Sequence, residues 1–542
     1  MSTHDSADPS SSSAVLLNED RPFFLVTGAA YSALVACLTL TISPYFALGW
    51  DVKTFIAAGW SLLDWQHPFA LYEQSRAAFY WPYAYPPLHA ILVAPFLALH
   101  RLVQAIPESV LVRLPVVAFD LAMAFLLYHH IAMATSRKEA ARLAAVVWLF
   151  NPVTLYQTAV QAHFESEWVL LVLVAYALAS PPAQHSGRSS WQQVAVASLC
   201  LTGAILIKQI ALIYAIPYWL SLWFGEKRRQ AVLSGALTAT LSLLVCLPFA
   251  LHSQDFVFMV TSYVADMPVQ TQSALVWLLL FKEYLLSSHT SAIFVLRYST
   301  LTVAAVASLI SLWASSRRKG LQEIGMLITL VFFLLSSKVM GYYYAILIPF
   351  AILVLLPRCQ LRLLQTTCAM LAWILLSPYY ASWAQQDNAW IYAALGTLNS
   401  LFFAWLFWRV WHWDVAWTSF GGSAEAATAS WRWDPAAAGS LVTMVTALGL
   451  ALVVPTLAQP AHDVPWVPGR QDLSELVAAC AVFSVSVAAT VPLFRLLSRT
   501  VAPARPRLGL LALTLYFPLT FMQFYVTRES TRVLELLLRS LR

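Results

Sequence analysis

The chain has 542 residues, of which 60% are apolar and only 11% charged, with a formal net charge of +6. Soluble domains carry about a quarter charged residues, so this composition excludes a water-soluble globule. The positive balance is accounted for by cationic cytoplasmic loops, and no nucleic-acid partner is expected.

Residues 1–22, rich in Ser and Asp, read as a disordered cytoplasmic tail. No charged n-region with a short apolar core and cleavage site follows, so the first apolar run is expected to stay in the mature protein. Apolar runs of about 20 residues then recur, each long enough for a hydrocarbon core about 30 Å thick. Backbone groups in lipid must be satisfied internally, and no ten-residue alternation of a barrel is present, so these runs are helices. The expected spans are 23–48, 110–132, 142–160, 168–182, 191–207, 210–224, 231–251 and 291–313. Others follow at 321–336, 343–357, 363–380, 390–409, 436–456, 473–494 and 508–526.

The run 86–104 decides the topology of everything after it. Laid on the outer surface, it places Arg137/Lys138/Arg142, Lys227/Arg228/Arg229, Arg317/Arg318/Lys319 and Arg495/Arg499/Arg505/Arg507 in the cytoplasm. Threaded through the bilayer, it puts all four clusters outside, against the positive-inside rule. Pro86, Pro87 and Pro95, with His89, His100 and Arg101 at its flanks, also suit an interfacial helix. The expected first outer loop is therefore 49–109. The tail after Phe524 carries Arg528, Arg532, Arg539 and Arg542, yet an odd span count leaves it outside. The tryptophans of 411–435 read as interfacial anchors, and the six cysteines as small buried hydrophobes.

In this threading the polar residues collect on the outer face. Asp51 stands in Gly49-Trp50-Asp51-Val52-Lys53 at the mouth of the first span. An acid beside a bilayer is costly and marks a functional candidate. A second outer stretch after Asn151-Pro152 offers His163, Glu165 and Glu167. Lys208 interrupts Ile205-Leu206-Ile207-Lys208-Gln209-Ile210 and would cost a few kcal/mol in lipid without a partner, so a short outer hairpin is expected there. Arg113 precedes Pro115, and Lys338 precedes Tyr342-Tyr343-Tyr344. Each has a plain reading too: a solvated loop acid, or a helix break at Asn151-Pro152. Together they sketch a cleft with carboxylates that can act as general base and cations that can hold a phosphate.

These residues resemble the GT-C superfamily of polyprenyl-phosphate-sugar-dependent glycosyltransferases, in particular its bacterial polyprenol-phosphomannose-dependent mannosyltransferases, GPI-mannosyltransferase-like and aminoarabinose-transferase-like groups. The likeness runs over 23–350. It lies in Gly49-Trp50-Asp51, Ala70-Leu71-Tyr72, Tyr85-Pro86-Pro87-Leu88, Val112-Arg113-Leu114-Pro115 and Asn151-Pro152. It continues in His163-Phe164-Glu165-Ser166, Lys208-Gln209 and the segment from Lys338 through Tyr344 to Pro349.

The resemblance implies an all-α polytopic membrane protein of GT-C fold, with about 13–15 transmembrane helices and interfacial helices in the first outer loop. It divides the chain into a catalytic module at 23–350 and a variable C-terminal region at 351–542. It implies transfer of a hexose, mannose favoured, from a polyprenyl-phosphate sugar to a hydroxyl of a glycan, lipid or protein acceptor. The reaction would invert the anomeric centre at the non-cytoplasmic face of a plasma or inner membrane. Asp51 is then the general base; Arg113, Lys208, Lys338, Tyr344 and His163 contact substrate or phosphate. Glu165 and Glu167 are the expected ligands of a divalent metal, Mg²⁺ or Mn²⁺. Val52 and Lys53 stand where some members have a second acid, and Ala162 where glycine is common. The competing expectation is a transporter or lipid-linked-sugar flippase, which would place acids or broken helices near mid-membrane in matching halves.

Overall fold

The computed structural model describes residues 20–42, 49–64, 67–78, 82–179, 191–263, 271–277, 298–376 and 389–413. The expected spans at 436–456, 473–494 and 508–526, the arginine-bearing tail and residues 1–19 lie outside the described residues. The described residues are helical, with no strand among them. The protein is an all-α membrane protein. Among the described residues three helices are long and apolar enough to cross a bilayer by length and composition: Glu108–Thr135, Arg228–His252 and Ser299–Ser316.

The first of two compact units holds the described residues of 1–45 and 124–152, the second those of 46–123 and 153–423. In the first, α1 (Arg21–Ile42) opens inside the stretch expected to be a loose tail. Asp20 is 1% exposed, because Tyr128 donates its hydroxyl to it and Arg142 makes an ion pair with it. Thus residues 20–22 belong to the folded unit. Phe23 and Phe24 pack on Tyr128, and the Arg142 guanidinium lies 5.7 Å over the Phe23 ring.

The second unit begins with α2 (Gly49–Leu62), α3 (Leu71–Ala78) and α4 (Leu88–His100). At 1.5 Å per residue the thirteen residues of α4 rise about 20 Å, short of a bilayer core of about 30 Å. Its buried face of His89, Ala90, Val93, Ala94 and Leu97 serves protein packing. α2 approaches α4 closely at Gly59, where an added Cβ would lie 2.6 Å from Leu97 Cδ1. In chain order α5 (Leu114–Thr135) and α6 (Lys138–Leu149) follow, their residues from Ala124 on belonging to the first unit.

The expected span 142–160 is broken. Its regular helix stops at Leu149, because proline disfavours helical backbone at the residue before it, here Asn151. A short turn, Pro152–Leu155, passes into a π-helical turn at Tyr156–Val160. The next helix, α7 (Glu165–Ala179), starts three residues before its expected boundary. Acids in a first turn are favoured by the helix dipole, so Glu165 and Glu167 extend the helix rather than hang in a loop.

α8 (Trp191–Ile207) and α9 (Ala211–Phe224) flank Lys208, and α10 is Arg228–His252. After these come α11 (Ser299–Ser316) and α12 (Leu321–Leu335). The expected span 343–357 is a 3-10 turn, Gly341–Ile346, running into α13 (Leu347–Leu355). α14 (Leu361–Leu376) and α15 (Ala389–Trp411) follow within the same unit. Cys359, at a chain reversal with φ 55°, is exposed, unlike the buried cysteine expected there.

Candidate active site

The site is built around the turn that joins the π segment to α7. Ala162 adopts φ 51°, a left-handed backbone that costs an alanine about 1–2 kcal/mol and would cost glycine little. This is the position where glycine is common in the family that the sequence resembles. The turn is closed by His163 N–H on the Gln157 carbonyl at 2.9 Å and by Gln157 Nε2 on the His163 carbonyl at 3.1 Å. Arg113, 1% exposed, donates Nε to the carbonyls of Thr158 (3.1 Å) and Ala159 (3.0 Å) and Nη1 to that of Ser109. The expected phosphate contact at Arg113 is thus a group committed to backbone carbonyls.

His163 and Glu165 emerge from this turn into a buried cluster. Glu165 Oε1 lies 3.0 Å from His163 Nδ1 and forms an ion pair with Lys208 Nζ, while Oε2 accepts Trp168 Nε1 at 2.6 Å. His163 Nε2 meets the Tyr85 hydroxyl at 3.3 Å. Burial, then Lys208, push His163 down to about 3, so the ring is neutral. The neutral ring and the Tyr85 hydroxyl share the Nε2 contact, its polarity set by the tautomer.

Lys208 is 2% exposed. Its cost is met by Glu165 and by aromatic faces: the ammonium lies 4.0 Å over Tyr343 and 5.3 Å over each of Tyr85, Phe164 and Tyr342. The 3-10 turn explains which tyrosines arrive. At three residues per turn, consecutive side chains point in three directions. Tyr342 stacks on His163 at 3.4 Å and Tyr343 reaches Lys208, whereas Tyr344 packs on Phe333 and Phe403. Tyr344, expected as a substrate contact, thus packs away from the cluster that Tyr342 and Tyr343 line. Lys338 is 8% exposed, and its peptide N–H bonds Ser336 Oγ at 3.2 Å.

Asp51 stands in the first turn of α2 within electrostatic reach of Lys208, Tyr85, Tyr342 and Tyr343. It keeps part of its surface open. Burial raises its carboxyl to about 6, against a smaller lowering by Lys208. A carboxylate that titrates near neutrality is suited to accept a proton.

The expected metal ligands diverge. Glu165 is taken by Lys208, His163 and Trp168, whereas Glu167 Oε2 pairs with His89 Nδ1 at 3.0 Å. Two residues apart on a helix, they leave it in roughly opposite directions. Among the described residues no group of three His, Cys, Asp or Glu side chains is placed to hold a metal. These donors do not fit a shared divalent cation, and no step below runs through one.

Sequence reading missed Phe55, His89, Phe164 and Trp168 as site components. None has a signal outside its neighbourhood, because aromatic residues are frequent throughout this chain.

No known family model and no curated protein matches the sequence. Among solved structures, the crystal structure of ArnT from Cupriavidus metallidurans bound to undecaprenyl phosphate is similar, at 13% identity and a TM-score of 0.42. That alignment covers 94% of this chain and 77% of ArnT. A likeness at this level establishes neither family nor activity.

Proposed function

We propose that this protein is an integral-membrane glycosyltransferase of the GT-C type, using a polyprenyl-phosphate sugar and taking Asp51 as general base. The observation that carries the reading is Asp51 itself, a partly open carboxylate raised to about 6 within electrostatic reach of the buried Lys208 and of Tyr85, Tyr342 and Tyr343. The resemblance of residues 23–350 supports the choice of donor, with mannose the favoured hexose. Asp51 removes the proton of the acceptor hydroxyl as that oxygen bonds to the anomeric carbon. The bond from the anomeric carbon to the phosphate oxygen breaks on the opposite side, and polyprenyl phosphate leaves with its electron pair. The centre is inverted. Lys208 and Lys338 are the cations nearest in role to the phosphate, and His163 and Tyr342 shape the wall. The site faces the non-cytoplasmic side.

Purified protein in lipid nanodiscs, incubated with polyprenyl-phosphate mannose, glucose or arabinose and candidate acceptors, should release polyprenyl phosphate from one of them. Asp51→Asn should lower that rate by about 10²–10⁴-fold, the range of general-base contributions, with the melting temperature retained. Unchanged turnover in the variant removes Asp51 as base.

A further inference from the structure

One buried ring meets four rings of the site without sharing in its chemistry. Phe55 is 1% exposed and lies on α2 one turn after Asp51, so the two occupy the same helix face. Its ring centroid is 5.0 Å from that of His89, 5.3 Å from Phe164, 5.6 Å from His163 and 6.2 Å from Tyr85. Three of the four meet it edge to face, the favoured geometry for such pairs. Behind these rings stand the polar contacts of the site: His163 with Glu165, His89 with Glu167, and the Lys208 ammonium over Tyr85 and Phe164. One turn further along α2, Gly59 admits α4 closely, at the Leu97 and Val93 side chains. α2 is thus packed at 55 and 59, and its first turn carries Asp51.

We infer that Phe55 is the positioning residue of the site: its ring, seated among Tyr85, His89, His163 and Phe164, fixes the first turn of α2 so that residue 51 stands beside Lys208. This rests on the reading of Asp51 as base for its catalytic consequence, and on packing alone for its geometric one. Truncating the ring leaves the fold of α4, α7 and the Glu165 cluster in place but lets α2 shift. A displacement of about 1 Å at a reacting group is enough to cost about 10²-fold in rate.

The geometric arm needs no activity. In Asp51→Cys protein, the iodoacetamide alkylation rate of residue 51 at pH 7, resolved by peptide mass spectrometry, should fall at least threefold when Lys208→Met is added, because a neighbouring ammonium favours the thiolate. Adding Phe55→Leu instead should remove most of that Lys208-dependent acceleration. Gly59→Ala, which presses on Leu97 from a different position, should remove part of it and serves if Phe55→Leu fails to fold. Retention of the full Lys208 dependence in both variants overturns the proposal. So does absence of any Lys208 dependence in the Asp51→Cys parent, since residue 51 is then not held beside that lysine. The catalytic arm uses the native acid: Phe55→Leu should lower kcat at least tenfold with KM for the lipid donor within twofold. A matched loss in KM alone counts against positioning. If the wild type releases no polyprenyl phosphate from any donor, the glycosyltransferase reading fails while the thiol measurement still decides Phe55.

Discussion

Among the described residues, a fully buried carboxylate meets a buried cation in each compact unit, Asp20 with Arg142 and Glu165 with Lys208, and the two pairs differ in what surrounds them. In the first, Arg142 and Asp20 are joined by the Tyr128 hydroxyl and covered by Phe23. Nothing about that cluster leaves a titratable group in excess: it ties α1, α5 and α6 together. In the second, Lys208 and Glu165 carry His163, Trp168 and Tyr85 with them, and a further acid, Asp51, stands within reach. Burial of a salt bridge is therefore no mark of a site by itself. The mark is an acid left over once the pair is satisfied, with its own surface open and its titration moved toward neutrality.

The comparison breaks most sharply at the structural pair. Asp20→Asn leaves Arg142 buried without its counter-charge and should destabilise the protein by about 3–5 kcal/mol, read as a drop in melting temperature. Turnover per folded molecule should be preserved; a selective loss of turnover with unchanged stability would erase the distinction between the pairs. A smaller effect is expected on the pH profile at the other pair. Lys208 lowers the Asp51 carboxyl against the larger effect of burial. A base works when deprotonated, so the rate should fall as pH drops through about 6. In Lys208→Met that acidic limb should move to higher pH, and a limb moving lower would show that Asp51 does not feel the lysine. The smallest effect belongs to a surface pair. Arg76 and Asp255 join α3 to the segment after α10, with 56% and 23% of their side chains exposed. Arg76→Ala should change stability by no more than about 1 kcal/mol, and less in 0.5 M salt.

The helical membrane class was legible because hydropathy and backbone satisfaction leave no alternative in lipid. Asp51, His163, Glu165 and Lys208 were legible because a charge amid apolar residues stands out against its background. The structure brings these four into one unit. What the sequence hides is direction. Whether Arg113 faces a cleft or a carbonyl depends on a π turn 45 residues away, and which two of three adjacent tyrosines meet Lys208 depends on the pitch of one 3-10 turn. The second-loop acids looked like a pair from their spacing. A helix that starts early sends them to different partners. Asp20 was assigned to a loose tail because its partners, Tyr128 and Arg142, lie more than a hundred residues away.

The π turn at Tyr156–Val160 sets a requirement on position 113. A widened turn misaligns carbonyls that an ordinary helix would cap from within, and in an apolar setting water cannot replace the missing donors. Arg113 fills the gap from another segment with a rigid fork that reaches Thr158, Ala159 and Ser109 together. A lysine carries the same charge but a single ammonium, and it cannot bridge three oxygens spread along two stretches of chain. The guanidinium behaves as a piece of main chain supplied in trans, a splint across a deliberate break. Where a sequence keeps this break, the shape of the cation at 113 matters more than its sign.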